Sequence, residues 1–128
     1  MSDTYVLDAS AVLAFLRDEP GWRRVEELLG DAIISTVNLA EVASRLSDLG
    51  MSPENVTIAL TELLDLSVAF DAPQALEAGH LRSLTRNKGL SLGDRACIAL
   101  ARTVGGIALT ADRAWAELDI GVGIELIR

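Results

Sequence analysis

Cysteine, histidine and aromatic residues are scarce in this sequence of 128 residues. The one cysteine, Cys97, has no partner for an internal disulfide, so we expect it to be a small buried hydrophobic residue. The one histidine, His80, stands near no serine or cysteine nucleophile and is predicted to lie on a helix surface. A zinc site of His and Cys and a Ser-His-Asp triad therefore both lack parts. Five aromatic residues are also too few for a platform that stacks nucleic-acid bases.

Positive charge is scarce as well, because 19 acidic residues outnumber 11 basic residues and leave a net charge of −8. This balance argues against a protein that coats nucleic acid. It does not exclude a nuclease built on carboxylates, since such a site recruits phosphate through a cation. Four basic residues crowd one region, where a solvated helix face is as good an interpretation as a functional patch: Arg82, Arg86, Lys88 and Arg95.

Long apolar runs are absent. Segment 9–16 is too short and segment 56–70 is interrupted by acids, whereas a membrane span needs about 20 apolar residues. Asp3 and Asp8 stand where a signal peptide would have a basic start and an apolar run. We therefore expect a cytoplasmic protein without a membrane segment, formed by one domain over residues 1–128. Half of the residues are hydrophobic, which favours a partner that covers some apolar surface.

Short apolar runs alternate with segments of helical periodicity along the whole chain. The predicted strands are 5–7, 32–35, 66–70, 107–109 and 122–127. The predicted helices are 9–17, 22–29, a helix capped by Thr36 and ended by Gly50, 53–64, 73–88, 94–104 and 111–118. This alternation predicts an α/β fold with a central parallel sheet of about five strands flanked by helices on both faces.

Four acids stand at the ends of these elements. Asp8 ends the first strand, and Glu41 lies three residues after Asn38 in the helix that follows the second strand. Asp94 is predicted to open a helix, and Asp112 follows the fourth strand. Open parallel sheets bind ligands at the carboxyl ends of their strands, where these acids would converge and repel one another. A hard cation such as Mg²⁺ or Mn²⁺ would relieve that repulsion and suits phosphate chemistry.

Each acid also has an ordinary structural interpretation. Asp8 could belong to a turn, and Glu41 could pair with Arg45 one helical turn away. Asp94 and Asp112 could be helix N-caps. Their common position at one edge of the sheet favours the functional interpretation over four independent coincidences.

Four segments containing these acids resemble the PIN-domain family, and most closely its VapC-type toxins. In chain order they are 6–11 (VLDASA), 38–42 (NLAEV), 92–101 (LGDRACIALA) and 109–115 (LTADRAW). The resemblance spans nearly the whole chain and implies a PIN-like three-layer α/β sandwich. It also implies an endoribonuclease that depends on Mg²⁺ or Mn²⁺, forms a homodimer and binds a cognate antitoxin.

By this resemblance, Asp8, Glu41, Asp94 and Asp112 form the catalytic and metal-binding quartet. Asp8 and Asp94 match the positions of direct metal ligands, while Glu41 and Asp112 would hold the ion through water or bind a second ion. Three small polar residues match the positions that support the quartet by hydrogen bonds: Ser10, Asn38 and Thr110. The expected reaction is in-line attack by water on an RNA phosphodiester, leaving 5′-phosphate and 3′-hydroxyl ends.

Three rival interpretations explain fewer residues. A phosphorelay receiver domain would use Asp71 as the phospho-acceptor, but it needs an acidic pair after the first strand, and Ala9 follows Asp8 here. A haloacid-dehalogenase-like phosphatase needs a second aspartate two residues after the first, where Ser10 stands. A non-catalytic module that binds RNA or protein would not need a complete quartet.

Overall fold

The computed structural model describes residues 3–128. Its strands are β1 (Tyr5–Leu7), β2 (Ala32–Ser35), β3 (Ser67–Val68), β4 (Ile107–Thr110) and β5 (Gly123–Leu126). Its α-helices are α1 (Ala9–Leu16), α2 (Trp22–Leu28), α3 (Thr36–Asp48), α4 (Pro53–Leu64), α5 (Ala72–Thr85) and α6 (Leu92–Val104). Short 3₁₀ turns cover Leu29–Asp31, Arg86–Lys88 and Arg113–Glu117.

The described strands form one parallel sheet in the order β3-β2-β1-β4-β5. The strand order reverses at β1, which places the carboxyl end of β1 beside those of β2 and β4. In open α/β sheets a ligand crevice forms at this reversal. The predicted parallel α/β architecture is confirmed.

Side chains of neighbouring residues in each central strand point to opposite faces of the sheet. Leu7 and Leu109 join an apolar cluster with α1 to α4, whereas Val6 and Ala108 join a second cluster with α5 and α6. The sheet is therefore covered on both faces, as the predicted three-layer sandwich requires. Within residues 3–128, no helix is long and apolar enough to cross a membrane.

Several predicted boundaries are wrong by a few residues, and local hydrogen bonds explain the differences. The Ser35 hydroxyl accepts the Val37 N–H at 3.2 Å, so Ser35 is the cap of α3 and Thr36 lies inside the helix. Residues 111–118 form a 3₁₀ turn over Arg113–Glu117 instead of an α-helix. The predicted strand 66–70 is reduced to the two residues of β3 at the edge of the sheet, because pairing with β2 ends at Val68.

The start of α6 also differs from the prediction. Ser91, not Asp94, is the N-cap, and the helix begins at Leu92. The Ser91 hydroxyl accepts the Asp94 N–H at 3.1 Å, and the Asp94 carboxylate accepts the Ser91 N–H at 2.9 Å. This capping box satisfies two N–H groups that a helix start leaves free. Asp94 thus lies in the first turn of α6.

Candidate functional site

Asp8 is a buried carboxylate at the reversal point of the sheet. It follows β1, stands at the N-cap position of α1 without a capping hydrogen bond from its side chain, and is 5% exposed. Its Oδ2 atom accepts hydrogen bonds from the Ser10 hydroxyl at 2.6 Å and the Thr110 hydroxyl at 2.8 Å. Burial raises the pKa of Asp8 above its usual value, the two hydroxyl donors oppose this rise, and the nearby Asp94 charge adds to it.

The two hydroxyl groups that hold Asp8 also tie α1 to the end of β4. The Ser10 hydroxyl accepts the Ala111 N–H at 2.9 Å, and the Thr110 hydroxyl accepts the Asp112 N–H at 3.0 Å. One oxygen of Asp8 is therefore fixed by Ser10, two positions away in the chain, and by Thr110, 102 positions away. The structure places Ser10 and Thr110 where hydrogen bonds support Asp8.

Glu41 lies on α3 with its carboxylate against the first turn of α6. The Asn38 side-chain N–H₂ donates to Glu41 Oε1 at 2.9 Å and to the Gly93 carbonyl at 3.0 Å. Asn38 is fully buried, and its Oδ1 has no hydrogen-bond partner among residues 3–128. Partial burial raises the pKa of Glu41, the Asn38 hydrogen bond opposes the rise, and the charges of Asp8 and Asp94 add to it.

Gly93 makes this approach of α3 to α6 feasible. A β-carbon on residue 93 would lie 2.2 Å from Glu41 Oε1 and 2.4 Å from Oε2. Only a residue without a side chain leaves room for the carboxylate in its observed place. Gly93 is a site residue that the sequence interpretation missed, and no local pattern reveals it, because the contact joins segments 52 positions apart.

Asp94 and Asp112 have structural hydrogen bonds in addition to their predicted roles. Asp94 takes part in the capping box of α6, and its charge raises the pKa values of Asp8 and Glu41. Asp112 is exposed, and its Oδ1 accepts the Ala114 N–H at 3.0 Å as the cap of the following turn. Asp112 does not contribute to the raised pKa values of the other acids. The structure thus groups three acids electrostatically and leaves Asp112 at the rim.

Cys97 lies beneath the acidic group on α6, with no exposed surface. Its thiol is 3.8 Å from the Val6 carbonyl. Burial raises the pKa of this thiol well above its usual value, and the charges of Asp8, Asp94 and Glu41 raise it further. The charges of all three acids therefore act on the same buried thiol. Its complete burial confirms the predicted role of Cys97 as a small buried residue. A thiol that stays protonated is also chemically inert.

The acidic group has no basic counterpart in the described part of the chain. No Lys, Arg or His of residues 3–128 forms a salt bridge with Asp8, Glu41, Asp94 or Asp112. Glu41 hydrogen-bonds Asn38 and not Arg45, the alternative partner considered from the sequence. Across the same residues, no three His, Cys, Asp or Glu side chains are close enough to enclose a metal ion by themselves. The site is an open group of carboxylates.

Of the four basic residues that lie close together in the sequence, Arg95 and Lys88 have partners elsewhere, whereas Arg82 and Arg86 stay together. Arg95 turns toward α5 and donates to the Ala78 carbonyl at 2.9 Å. Lys88 lies 3.8 Å from Glu117. Arg82 and Arg86 remain exposed and line one pocket.

The fold and the site together define an α/β protein with an acidic group at the reversal point of a parallel sheet. The profile of the PIN domain matches residues 5–121, and this chain belongs to the PIN-domain family. No curated protein sequence matches the chain.

Solved structures of low sequence identity share the fold. A DNA-bound VapBC structure from Salmonella typhimurium is 19% identical, with a TM-score of 0.76 over 99% of this chain and 100% of that chain. VapBC2 from Rickettsia felis, bound to a promoter DNA fragment, is 20% identical, with a TM-score of 0.74 over 95% and 97% of the two chains. VapBC-5 from Mycobacterium tuberculosis, a member of the VapBC family of toxin–antitoxin systems, is 24% identical, with a TM-score of 0.62 over 99% of each chain.

Proposed function

We propose that this chain is a metal-dependent endoribonuclease of the VapC type, the toxin of a toxin–antitoxin pair. The observation that carries the proposal is the group of Asp8, Glu41 and Asp94, which come from three separate elements and repel one another. Such repulsion lowers the stability of the metal-free protein, so a protein with no use for it would not be expected to assemble it. Membership of the PIN-domain family and the likeness to VapBC structures support the proposal.

The residues present fit a hard divalent cation. The donor set consists of carboxylate oxygens, which suit Mg²⁺ and Mn²⁺ and do not suit softer metals. Mg²⁺ keeps several of its waters and is usually held by one or two carboxylates together with substrate phosphate oxygens. Since no three of the described acids could hold an ion by themselves, water and substrate phosphate oxygens would supply the remaining ligands. Asp8 and Asp94 would hold the ion directly, and Glu41 and Asp112 through water or as ligands of a second ion.

The chain's own residues have distinct tasks in hydrolysis. A bound divalent ion supplies a Lewis acid that lowers the pKa of water and stabilises negative charge on the phosphate. Asp8 is fixed through Oδ2 by Ser10 and Thr110. Glu41 is held through Oε1 by Asn38, while its Oε2 has no donor among residues 3–128. This oxygen is free to accept a proton from the attacking water.

The reaction breaks the bond between phosphorus and the 3′ oxygen. Water attacks phosphorus in line and its proton passes to a carboxylate oxygen, while the leaving 3′ oxygen takes up a proton from solvent water; the products carry a 5′-phosphate and a 3′-hydroxyl. The 2′-hydroxyl of RNA takes no part in this chemistry. The preference for RNA therefore comes from how the strand is bound.

A cleavage assay tests the proposal directly. The full chain is incubated with labelled RNA in Mn²⁺ or Mg²⁺, with and without a chelator, beside the Asp8→Asn and Asp94→Asn variants. We expect chelator-sensitive cleavage by the wild type, 5′-phosphate ends, and no cleavage by either variant. Ends with a 2′,3′-cyclic phosphate would contradict attack by water. Absence of cleavage with both metals would favour a non-catalytic binding module.

The antitoxin and a second copy of the chain are the proposed protein partners. The net charge of −8 suits a basic antitoxin segment, so added salt should weaken that complex. An affinity that does not change with salt concentration would indicate a mainly apolar interface instead. Light scattering of the toxin alone tests the homodimer, and a monodisperse monomer would contradict it.

A further inference from the structure

A small basic pocket lies where α5 ends and the chain turns toward α6. It has a volume of about 140 Å³ and is lined by Arg82, Thr85, Arg86, Gly89 and Leu90. Thr85 and Leu90 are the buried residues of this lining. The Thr85 hydroxyl already donates its hydrogen to the Leu81 carbonyl at 2.7 Å. Among the side chains that line the pocket, the two arginines are therefore the donors left for a ligand.

The two arginines carry charges that the protein does not neutralise. Arg82 and Arg86 are one helical turn apart, and neither guanidinium has an ion pair or hydrogen bond within the described residues. Like charges at this spacing repel. Arg24 pairs with Glu125 and Arg102 with Glu77, whereas Arg23, Arg45 and Arg113 form no salt bridge in the described part of the chain. What distinguishes Arg82 and Arg86 is that both line the same pocket, where their two charges can act on one anion from outside the chain.

The pocket adjoins the acidic group through consecutive residues. Leu90 forms one wall of the pocket, and the next residue, Ser91, donates its N–H to the Asp94 carboxylate at 2.9 Å. An anion held by the arginines would thus lie on the side of the pocket that leads into the first turn of α6, the turn that carries Asp94.

We propose that Arg82 and Arg86 form a subsite for a backbone phosphate of the RNA strand, flanking the phosphate that is cleaved. This assignment rests on the proposed nuclease function and adds where the strand is held. Guanidinium groups bind phosphate through paired charge-assisted hydrogen bonds. A contact to phosphate holds the strand in register without reading its sequence. The subsite would offset the repulsion that a chain of charge −8 exerts on RNA.

Binding of RNA to uncleaving protein tests the subsite. The full-length Asp8→Asn protein is titrated with a fluorescent single-stranded RNA at several salt concentrations, alone and with Arg82→Gln or Arg86→Gln added. Each arginine variant should weaken binding about tenfold, as expected for one lost charge-assisted hydrogen bond. Each should also lower the slope of log affinity against log salt by about 0.7, the value for one phosphate contact on a single strand.

Arg23→Gln is the matched control. Arg23 is exposed on α2, stacks over Trp22 at 5.2 Å, and has no salt bridge in residues 3–128, so its loss changes the net charge equally. Equal affinities for the Arg82, Arg86 and Arg23 variants would overturn the subsite, as would a protein that binds no RNA. If inorganic phosphate stabilises the protein through these arginines while RNA affinity stays unchanged, the pocket binds a free anion and the assignment to a strand is wrong.

The same variants separate this proposal from the nuclease proposal. If the wild type does not cleave RNA but loses affinity on Arg82→Gln, the subsite stands and the nuclease function fails. If the wild type cleaves RNA and the arginine variants show unchanged KM and kcat, the nuclease function stands and the subsite fails. Unfolding temperatures equal to that of the Arg23 variant would show that both substitutions leave the fold intact.

Discussion

Substitution of Gly93 by alanine should impair catalysis while leaving the fold at least as stable. The new β-carbon would lie 2.2 Å from Glu41 Oε1. Since such contacts settle near about 3.5 Å, the carboxylate must retreat by roughly 1 Å. The atoms that collide belong to the end of a flexible side chain, so Glu41 moves and the backbone does not. The retreat also strains the 2.9 Å hydrogen bond from Asn38.

The two effects of Gly93→Ala have opposite signs. Alanine in a helix is favoured over glycine by about 0.5–1 kcal/mol, which offsets the small cost of moving Glu41. For a chain of this length, 1 kcal/mol corresponds to a shift in Tm of about 3–5 °C. Displacement of a catalytic group by 1 Å can cost about a hundredfold in rate. We therefore expect kcat/KM for RNA cleavage to fall about a hundredfold with a Tm equal to or above that of the wild type.

Gly79→Ala provides the control for this experiment. Gly79 lies on α5, is exposed, and has open space around its missing β-carbon within the described residues. It should show the same gain in helix stability with unchanged cleavage. Thermal unfolding and a quantitative RNA cleavage assay measure the two properties. Wild-type kcat/KM in Gly93→Ala would refute the reasoning, because the position of Glu41 would then be irrelevant to catalysis.

Three further predictions concern the acids. Without metal, Asp8→Asn should be at least as stable as the wild type, because asparagine keeps one oxygen for both hydroxyls and removes a repelled charge. Asp8→Ala should lower the free energy of unfolding by about 1–3 kcal/mol, because it leaves the Ser10 and Thr110 hydroxyls without their acceptor. Urea unfolding that ranks Asp8→Asn below Asp8→Ala would contradict this. The pKa values of Asp8 and Glu41 are raised in the folded protein, so their contribution to metal-free stability is present below the unfolded carboxyl pKa of about 4. This contribution is lost as pH rises through the folded pKa values. A free energy of unfolding that rises over this range equally in wild type and Asp8→Asn would show that these raised pKa values do not govern the pH dependence of stability. Mn²⁺ at a hundred times its Kd should stabilise the wild type by about 2.7 kcal/mol and leave Asp8→Asn much less affected; equal Tm shifts would place the ion elsewhere.

Local chemistry in the sequence was sufficient for most of the fold. The apolar run of β1 is followed by a polar residue, and Ser52 with Pro53 marks the start of α4 by cap and ring geometry. These signals depend on residues a few positions apart, so the element boundaries that they mark can be predicted without knowing how the elements pack. The start of α6 was missed by two residues, although Ser91 stands three positions before Asp94, as in a capping box.

The sequence by itself therefore determined the order of strands and helices, the parallel sheet and the four acids expected at its carboxyl edge, because periodicity and end signals are local. Only the tertiary structure decided which acids act on one another: Asp8, Glu41 and Asp94 are grouped, while Asp112 caps a turn at the rim. The close contact between the Glu41 carboxylate and Gly93 depends on how α3 packs on α6, and no pattern of neighbouring residues encodes that distance.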